Sequence, residues 1–224
     1  MKKTTIQDIQ KLKKCDTPFA TLTAYDFTSA RLVDQANIPL ILVGDSAAMV
    51  VYGYDTTIPV SMDEMAFLVA SVSRGASQAL VVADMPFLSY QVSIENAIFN
   101  AGRFIKESGA QAVKLEGGEK YADRISGIVN AGIPVMAHIG LTPQSFHQMS
   151  GYKVQGKTQR SAEKLLDDAK AVEKAGAFAL VLEGIPSELA KRLTEYVTIP
   201  TIGIGAGVHC DGQIQVFHDI LGMY

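Results

Sequence analysis

A chain of 224 residues with 48% hydrophobic and 19% charged residues carries enough apolar content to bury one sizeable core, which excludes disordered and fibrous classes. Twenty basic residues against 23 acidic ones give a net charge of −3, so no global basic field is available for nucleic acid or anionic lipid. Small molecules or copies of the chain itself are the expected partners. Only Cys15 and Cys210 occur, far apart and without C-x-x-C spacing, which excludes a disulfide framework and a cysteine zinc site and makes a reducing cytoplasm the expected compartment.

The first residues, Met1 to Asp8, carry lysines but no apolar stretch behind them, unlike a secretory signal. Apolar runs such as Ile38 to Val43 stop far short of the ~20 residues that cross a bilayer, so no membrane span is expected. A first strand is predicted over Ala20 to Ala24 and a second over Leu40 to Val43. Ser61 and Glu64 form a capping box opening a helix to Arg74, stopped by Gly75; a third strand follows at Leu80 to Ala83. Ser93 opens a helix with Ile94, Ala97, Ile98, Ala101 and Ile105 on one face and Gly109 as a left-handed cap. The fourth strand is Ala112 to Leu115, then a helix over Tyr121 to Asn130, then a fifth strand at Val135 to His138. Leu141 to Arg160 reads as a loop of a length usually tied to function. A helix over Ser161 to Lys174, a strand at Ala179 to Leu182, a helix over Ser187 to Tyr196, and strands at Thr201 to Ile204 and Gln213 to Phe217 complete the chain.

Strands that are nearly continuous apolar runs, alternating with helices, predict an α/β fold. Their number favours a closed (β/α)8 TIM-type barrel over an open doubly wound sheet. Two departures are expected: a short connection between strands 7 and 8, and helix 8 absent, because the chain ends at Tyr224. The expectation is therefore one barrel domain over 1–224, with strand 8 left bare or covered by another subunit.

In a parallel barrel the working residues sit where strands run out into the loops before the helices. Those ends carry Asp45 and Ser46, Asp84, Lys114 and Glu116, His138, Glu183, and the glycines of 203–207. Any one of these acids alone reads as a helix cap. As a set, Asp45, Asp84 and Glu116 end largely apolar runs and would repel one another unless neutralised, and a cation is the economical partner. With oxygen ligands, no thiolate pair and no i, i+4 pair among His138, His147, His209 and His218, a hard ion such as Mg2+ fits better than zinc. Ser46 lies in G-D-S-A-A, not the G-x-S-x-G of serine hydrolases, and stands as a hydroxyl available to a substrate. Lys114 reads equally as a salt-bridge partner within the acids or as an anchor for an anionic substrate; His138 reads as a core histidine or a site group. The glycines of 203–207 lack the third fingerprint glycine, Val208 standing there, and read as a tight turn rather than a nucleotide loop.

Asp26 after Ala24-Tyr25, G-D-S at 44–46, G-Y-D-T-T at 53–57 before Pro59-Val60, A-D-M-P-F at 83–87, V-K-L-E-G at 113–117, A-H-I-G-L-T-P at 137–143, G-I-G-A-G at 203–207 and C-D-G-Q at 210–213 together resemble the ketopantoate hydroxymethyltransferase family. The resemblance spans nearly the whole chain. Family members continue beyond the segment matching His218-Asp219, so the chain is read as C-terminally truncated relative to them. The resemblance implies a (β/α)8 enzyme of pantothenate biosynthesis. It would move a one-carbon unit from 5,10-methylenetetrahydrofolate to 3-methyl-2-oxobutanoate through a Mg2+-stabilised enolate, giving 2-dehydropantoate. It further implies Mg2+ ligands at Asp45, Asp84 and Glu116, substrate contacts at Ser46 and Lys114 as well as at the two aspartates, Glu183 as general base, and a homo-oligomer, a decamer in the family; beside these, the residue reading adds His138 as a substrate-binding group able to donate or accept a hydrogen bond. Two other readings stand beside it: a Mg2+-dependent 2-oxo-acid lyase or mutase of the phosphoenolpyruvate mutase and isocitrate lyase type, and a non-catalytic ligand-binding fragment. The G-Y-D-T-T and H-I-G-L-T-P blocks argue against the lyase.

Overall fold

Eight parallel strands, β1 (Phe19–Thr23), β2 (Leu40–Val43), β3 (Leu80–Asp84), β4 (Ala112–Glu116), β5 (Val135–Gly140), β6 (Ala179–Glu183), β7 (Thr201–Ile204) and β8 (Gly212–Gln215), pair in chain order, and β8 closes back onto β1. The computed structural model describes residues 2–15 and 17–224. Because side chains alternate along a strand, each strand has one row facing the barrel interior and one facing the helices. The outer row, including Ile41, Val43, Val81, Ala83, Val113, Leu115, Leu180 and Leu182, packs under the helices as one cluster; the inner row, including Leu40, Leu80, Val82, Ala112, Met136, Val181 and Ile202, forms a second. Both rows being apolar along most of their length is why these strands read as continuous runs.

The helices that cover the barrel are α2 (Phe27–Gln35), α4 (Met62–Gly75), α5 (Ile94–Lys106), α6 (Ala122–Asn130), α8 (Gln159–Lys174) and α9 (Ser187–Tyr196), with single-turn helices α3 (Ala47–Val50), α7 (Phe146–Met149) and α10 (Phe217–Ile220) in the loops. Ser61 accepts from the Glu64 amide while Glu64 accepts from the Ser61 amide, the capping box expected at the start of α4, and Ser93 caps α5. At Gly75 the expected stop is instead the last residue of α4. A Cβ there would lie 2.5 Å from the Phe27 carbonyl oxygen and 2.8 Å from Ala30 Cβ, so this glycine serves the close crossing of α2 and α4. An N-terminal helix, α1 (Ile6–Lys11), puts the fully buried Ile9 against Phe19, Leu40 and Leu80 at the strand starts, closing the base of the barrel.

Several boundaries differ from the sequence reading. The first two helices went unanticipated, although Thr5 and Asp26 cap them with side-chain bonds to their first-turn amides. Helix α8 begins at Gln159, capped by Thr158, and the preceding segment holds a 3-10 turn over Pro143–Ser145 as well as α7. Strand β8 ends at Gln215; Phe217 turns into α10, so a one-turn helix follows where none was expected. The β7–β8 connection is short, as expected, and no helix among the described residues is long and apolar enough to cross a membrane.

Asp34, in the last turn of α2, ties that helix to the loop before β3. Its buried carboxylate accepts from the Ser77 amide at 3.0 Å, the Ser77 hydroxyl at 2.7 Å, the Gln78 amide at 2.9 Å and the Ala79 amide at 2.7 Å. Burial favours its neutral form, but these donors outweigh it and hold the carboxyl below its usual pKa. A carboxylate so depressed stabilises the fold fully above its unfolded value, about 3.9, and loses that contribution as pH falls through the folded value. Asp34→Ala strands three amides and should cost at least about 2 kcal/mol at neutral pH. Urea midpoints of variant and parent should converge as pH is lowered below about 4; a gap unchanged into strong acid would show that the ionised form contributes nothing.

Candidate active site

The inner rows change character at the top of the barrel. Val82 is followed on its face by Asp84, Ala112 by Lys114 and Glu116, Met136 by His138, and Val181 by Glu183. Strand register makes Asp84 and Lys114 direct neighbours, then Glu116 and His138, then Gly140 and Glu183. Gly140 has φ +99, and a Cβ on it would lie 2.2 Å from the Glu183 carbonyl oxygen, so only glycine lets β5 pass Glu183 there. Asp45 and Ser46 come from the turn between β2 and α3. All seven residues singled out in the sequence, Asp45, Ser46, Asp84, Lys114, Glu116, His138 and Glu183, line one cup of about 190 Å³, floored by the apolar Leu42, Val181, Ile204 and Ile214.

Lys114 Nζ lies 2.8 Å from each Asp84 oxygen and 3.9 Å from Glu116 Oε1. The Asp45 amide also donates to Asp84 Oδ2, at 3.2 Å. His138 stands between two acids, with Nδ1 3.5 Å from Glu116 Oε1 and Nε2 3.3 Å from Glu183 Oε2. These contacts are long for charge-assisted hydrogen bonds and act mainly as ion-pair attraction. Burial and the Lys114 charge lower the imidazole's pKa, yet the two carboxylates prevail and push it up to about 9, which favours the imidazolium. Burial also disfavours the Lys114 ammonium, but Asp84, Glu116 and Asp45 outweigh that and raise its pKa. Glu116 is held below its ordinary value: burial opposes this, and His138 and Lys114 overcome it. Asp45 moves the other way, well above its ordinary value, through burial first and then through repulsion from Asp84 and Glu116.

One residue outside the sequence reading ties these groups together. Gln144, in the 3-10 turn after β5, is buried; its amide donates to Glu116 Oε2 at 3.0 Å and its Nε2 donates to Asp45 Oδ2 at 3.0 Å and to the Met85 carbonyl at 2.9 Å. Its Oε1 accepts from the Tyr90 hydroxyl at 2.9 Å and from Gln91 Nε2 at 3.2 Å, which fixes the carboxamide with its nitrogen toward Asp45. The sequence marked this loop by its length alone, because a glutamine after proline reads as solvated. Ser46 is oriented from the opposite direction, its Oγ 2.8 Å from the buried Tyr25 hydroxyl, whose pKa burial pushes up to about 12.

The donor chemistry fits a hard divalent cation. Four carboxylates face two cationic side chains, an excess of two negative charges when all are ionised. Glu116 Oε1 is buried with no hydrogen-bond partner, and Gln144 leaves one Asp45 oxygen free of its amide. Oxygen donors of this kind suit Mg2+. Among the described residues no three His, Cys, Asp or Glu side chains already stand as a ready-made shell, because the acids are gathered around the Lys114 ammonium. Asp84 accepts from Lys114 on both oxygens and from the Asp45 amide on Oδ2, which leaves Oδ1 with a lone pair for a cation shared with Asp45 and Glu116. Lys114 takes the salt-bridge role that the sequence left open to it, and with His138 it supplies part of the neutralisation of the acids.

Comparison with known proteins gives a family-level match. The model of the family described as ketopantoate hydroxymethyltransferase matches residues 3–224. A protein of Geobacter metallireducens named 3-methyl-2-oxobutanoate hydroxymethyltransferase is 59% identical over 222 residues, covering 99% of this chain and 83% of that one. Among solved structures, a putative phosphonomutase from Burkholderia cenocepacia superposes with a TM-score of 0.77 at 18% identity, over 97% of this chain and 94% of that one. A 2,3-dimethylmalate lyase of the phosphoenolpyruvate mutase and isocitrate lyase superfamily superposes at 0.70 with 20% identity, over 97% of this chain and 82% of that one. At such identities the likeness is one of fold.

Gln144→Leu keeps the backbone donor to Glu116 but removes the carboxamide bond to Asp45 along with the contacts to Met85, Tyr90 and Gln91 that aim it. Activity should fall about 10- to 100-fold, the usual consequence of losing a group that positions ligating carboxylates. Gln144→Glu, of equal size, should be worse because it adds a charge beside Asp45. Steady-state kinetics on folded variants, checked by circular dichroism, decide it; parental kcat/KM in Gln144→Leu would make the residue mere filling.

Proposed function

The chain belongs to the ketopantoate hydroxymethyltransferase family, and on that premise we propose that it transfers a hydroxymethyl unit from 5,10-methylenetetrahydrofolate to C3 of 3-methyl-2-oxobutanoate, giving 2-dehydropantoate. The observation that carries this reading is the cup itself. It joins a buried ammonium and imidazolium with four carboxylates above an apolar floor, in about 190 Å³. That is below the ~300 Å³ at which drug-sized ligand sites begin, and suits a small branched acid with one anionic end and one apolar end.

In this reading Lys114 attracts the oxo-acid oxygens, Ser46 offers them a hydroxyl, and the isopropyl group rests on Leu42, Val181, Ile204 and Ile214. Asp45, Asp84 and Glu116 would hold Mg2+, which when bound supplies Lewis-acid polarisation of the substrate carbonyl. Glu183 is the most exposed of the four acids, with 22% of its side chain accessible, and is the group free to accept the C3 proton. His138, 3.3 Å away, holds that carboxylate in place and offsets its charge. Loss of the proton leaves C3 as the nucleophile. It attacks the folate methylene carbon as one of that carbon's two bonds to nitrogen breaks, its electrons going to nitrogen; water then replaces the second nitrogen and becomes the hydroxyl, and the two nitrogens take up the proton removed from C3 and one proton of that water. The family match, rather than the shared barrel, separates this reading from a lyase or mutase.

Exchange of the C3 hydrogen of 3-methyl-2-oxobutanoate with deuterated water, followed by NMR without folate, isolates the proton step. The parent with Mg2+ should exchange, dialysis against a chelator should abolish exchange, and Mg2+ should restore it. Glu183→Gln should bind substrate yet exchange at least ~10²-fold more slowly, and Asp84→Asn should lose metal affinity and exchange together. Parental exchange in Glu183→Gln would place the base elsewhere at the barrel mouth.

Self-association belongs to the same proposal. Phe67 on α4 and Phe99 on α5 are 77% and 68% exposed, and a second copy of the chain would withdraw these rings from water. Light scattering at micromolar concentration should give a multiple of the chain mass; an active monomer would remove the proposal.

A further inference from the structure

Between α3 and α4 the chain runs exposed from Val51 to Asp55, yet Thr57 is only 3% exposed. Val60, three residues on, belongs to the outer apolar core. The segment is therefore pinned at Val60, and Thr57 lies in the wall of the cup with Asp45, Ser46 and Met49. Its Oγ1 is buried without a hydrogen-bond partner among the protein's atoms. The other orphaned atoms around the cup, Glu116 Oε1 and the His138 nitrogens, have counterparts at 3.5 and 3.3 Å. Thr57 has none.

A threonine hydroxyl carries one donor and two acceptor sites, and proteins rarely bury one unpaired because the lost hydration goes uncompensated. A valine would fill the same volume at no such cost. A buried, unpaired hydroxyl in the wall of a charged cavity is accounted for by a partner the cavity takes in. The partner must accept a hydrogen bond and be small enough to sit among Asp45, Ser46 and Lys114, as the oxygens of a short oxo acid do.

We infer that Thr57 donates a hydrogen bond to an oxygen of a small 2-oxo acid held in the cup, and so is a substrate-binding residue. The inference rests on the reading of the cup as the oxo-acid site. Thr57 approaches from the loop between α3 and α4, whereas Lys114 comes from a strand end and Ser46 from the turn after β2.

Thr57→Val removes the hydroxyl and keeps the shape; Thr57→Ser keeps the hydroxyl and removes the methyl. Calorimetric titration of 3-methyl-2-oxobutanoate at saturating Mg2+ should show binding weakened about 10- to 100-fold in Thr57→Val, the range for a hydrogen bond to a charged group, and near-parental binding in Thr57→Ser. Since no protein contact is lost, the thermal midpoint of ligand-free Thr57→Val should lie at or above that of the parent, and its affinity for Mg2+ alone should be unchanged. Equal binding by Thr57→Val and a binding-competent parent overturns the inference alone. So does weak binding by Thr57→Ser, which would assign the effect to the methyl group, or a lowered midpoint or Mg2+ affinity in Thr57→Val, which would assign it to packing or to the ion. If the parent takes up no oxo acid, the reading of the cup falls and this inference with it.

Discussion

Lys114 holds its ammonium 2.8 Å from both oxygens of Asp84 inside a closed barrel, where both side chains are almost fully withdrawn from water. An ion pair in such a place rarely adds net stability, since apolar residues of like volume often do as well; removing one partner alone is what costs, about 3–5 kcal/mol. The pair therefore makes sense as a fixed electrostatic centre for the mouth of the barrel. Asp84 also receives the Asp45 amide, so the turn after β2 is set by the same carboxylate, and Glu116 stands within reach of the same ammonium. Removing that ammonium would leave three acids crowding one another in a medium that screens poorly.

The charges around this centre are held in unequal states. The Glu116 carboxyl is held below its ordinary value by His138 and Lys114 against the effect of burial, while that of Asp45 is pushed up by burial and by its two acidic neighbours. Gln144 joins these two unlike acids, donating to both from one turn. The restraint is indirect: Tyr90 and Gln91 lock the carboxamide, and the carboxamide locks the acid.

Much of this was legible in the sequence because the barrel imposes a simple rule. Strands covered on both faces must be apolar throughout, so a charged residue ending such a strand stands out, and Asp45, Asp84, Lys114, Glu116, His138 and Glu183 all did. Helices α4 and α5 announced themselves through their serine caps, and α6, α8 and α9 through their apolar spacing, whereas the single turns α7 and α10 left no such mark. What stayed hidden followed no local period. Helix α2 mixes Phe, Thr, Ser, Arg and Asp in nine residues, and its Asp26 cap has serine rather than glutamate as the reciprocal partner. Helix α1 has only Ile9 fully buried, and its target is assembled from strand starts far apart in the chain. Gln144 and Thr57 are polar residues in loops; that they are buried depends on what folds over them, which no spacing rule records.

Helix α1 also fixes which end of the barrel can open. With Ile9 seated among the strand starts and Leu42, Val181, Ile204 and Ile214 giving the cup its apolar lining, the barrel is a vessel stopped at one end. A molecule held in a vessel of that shape has one way in and the same way out.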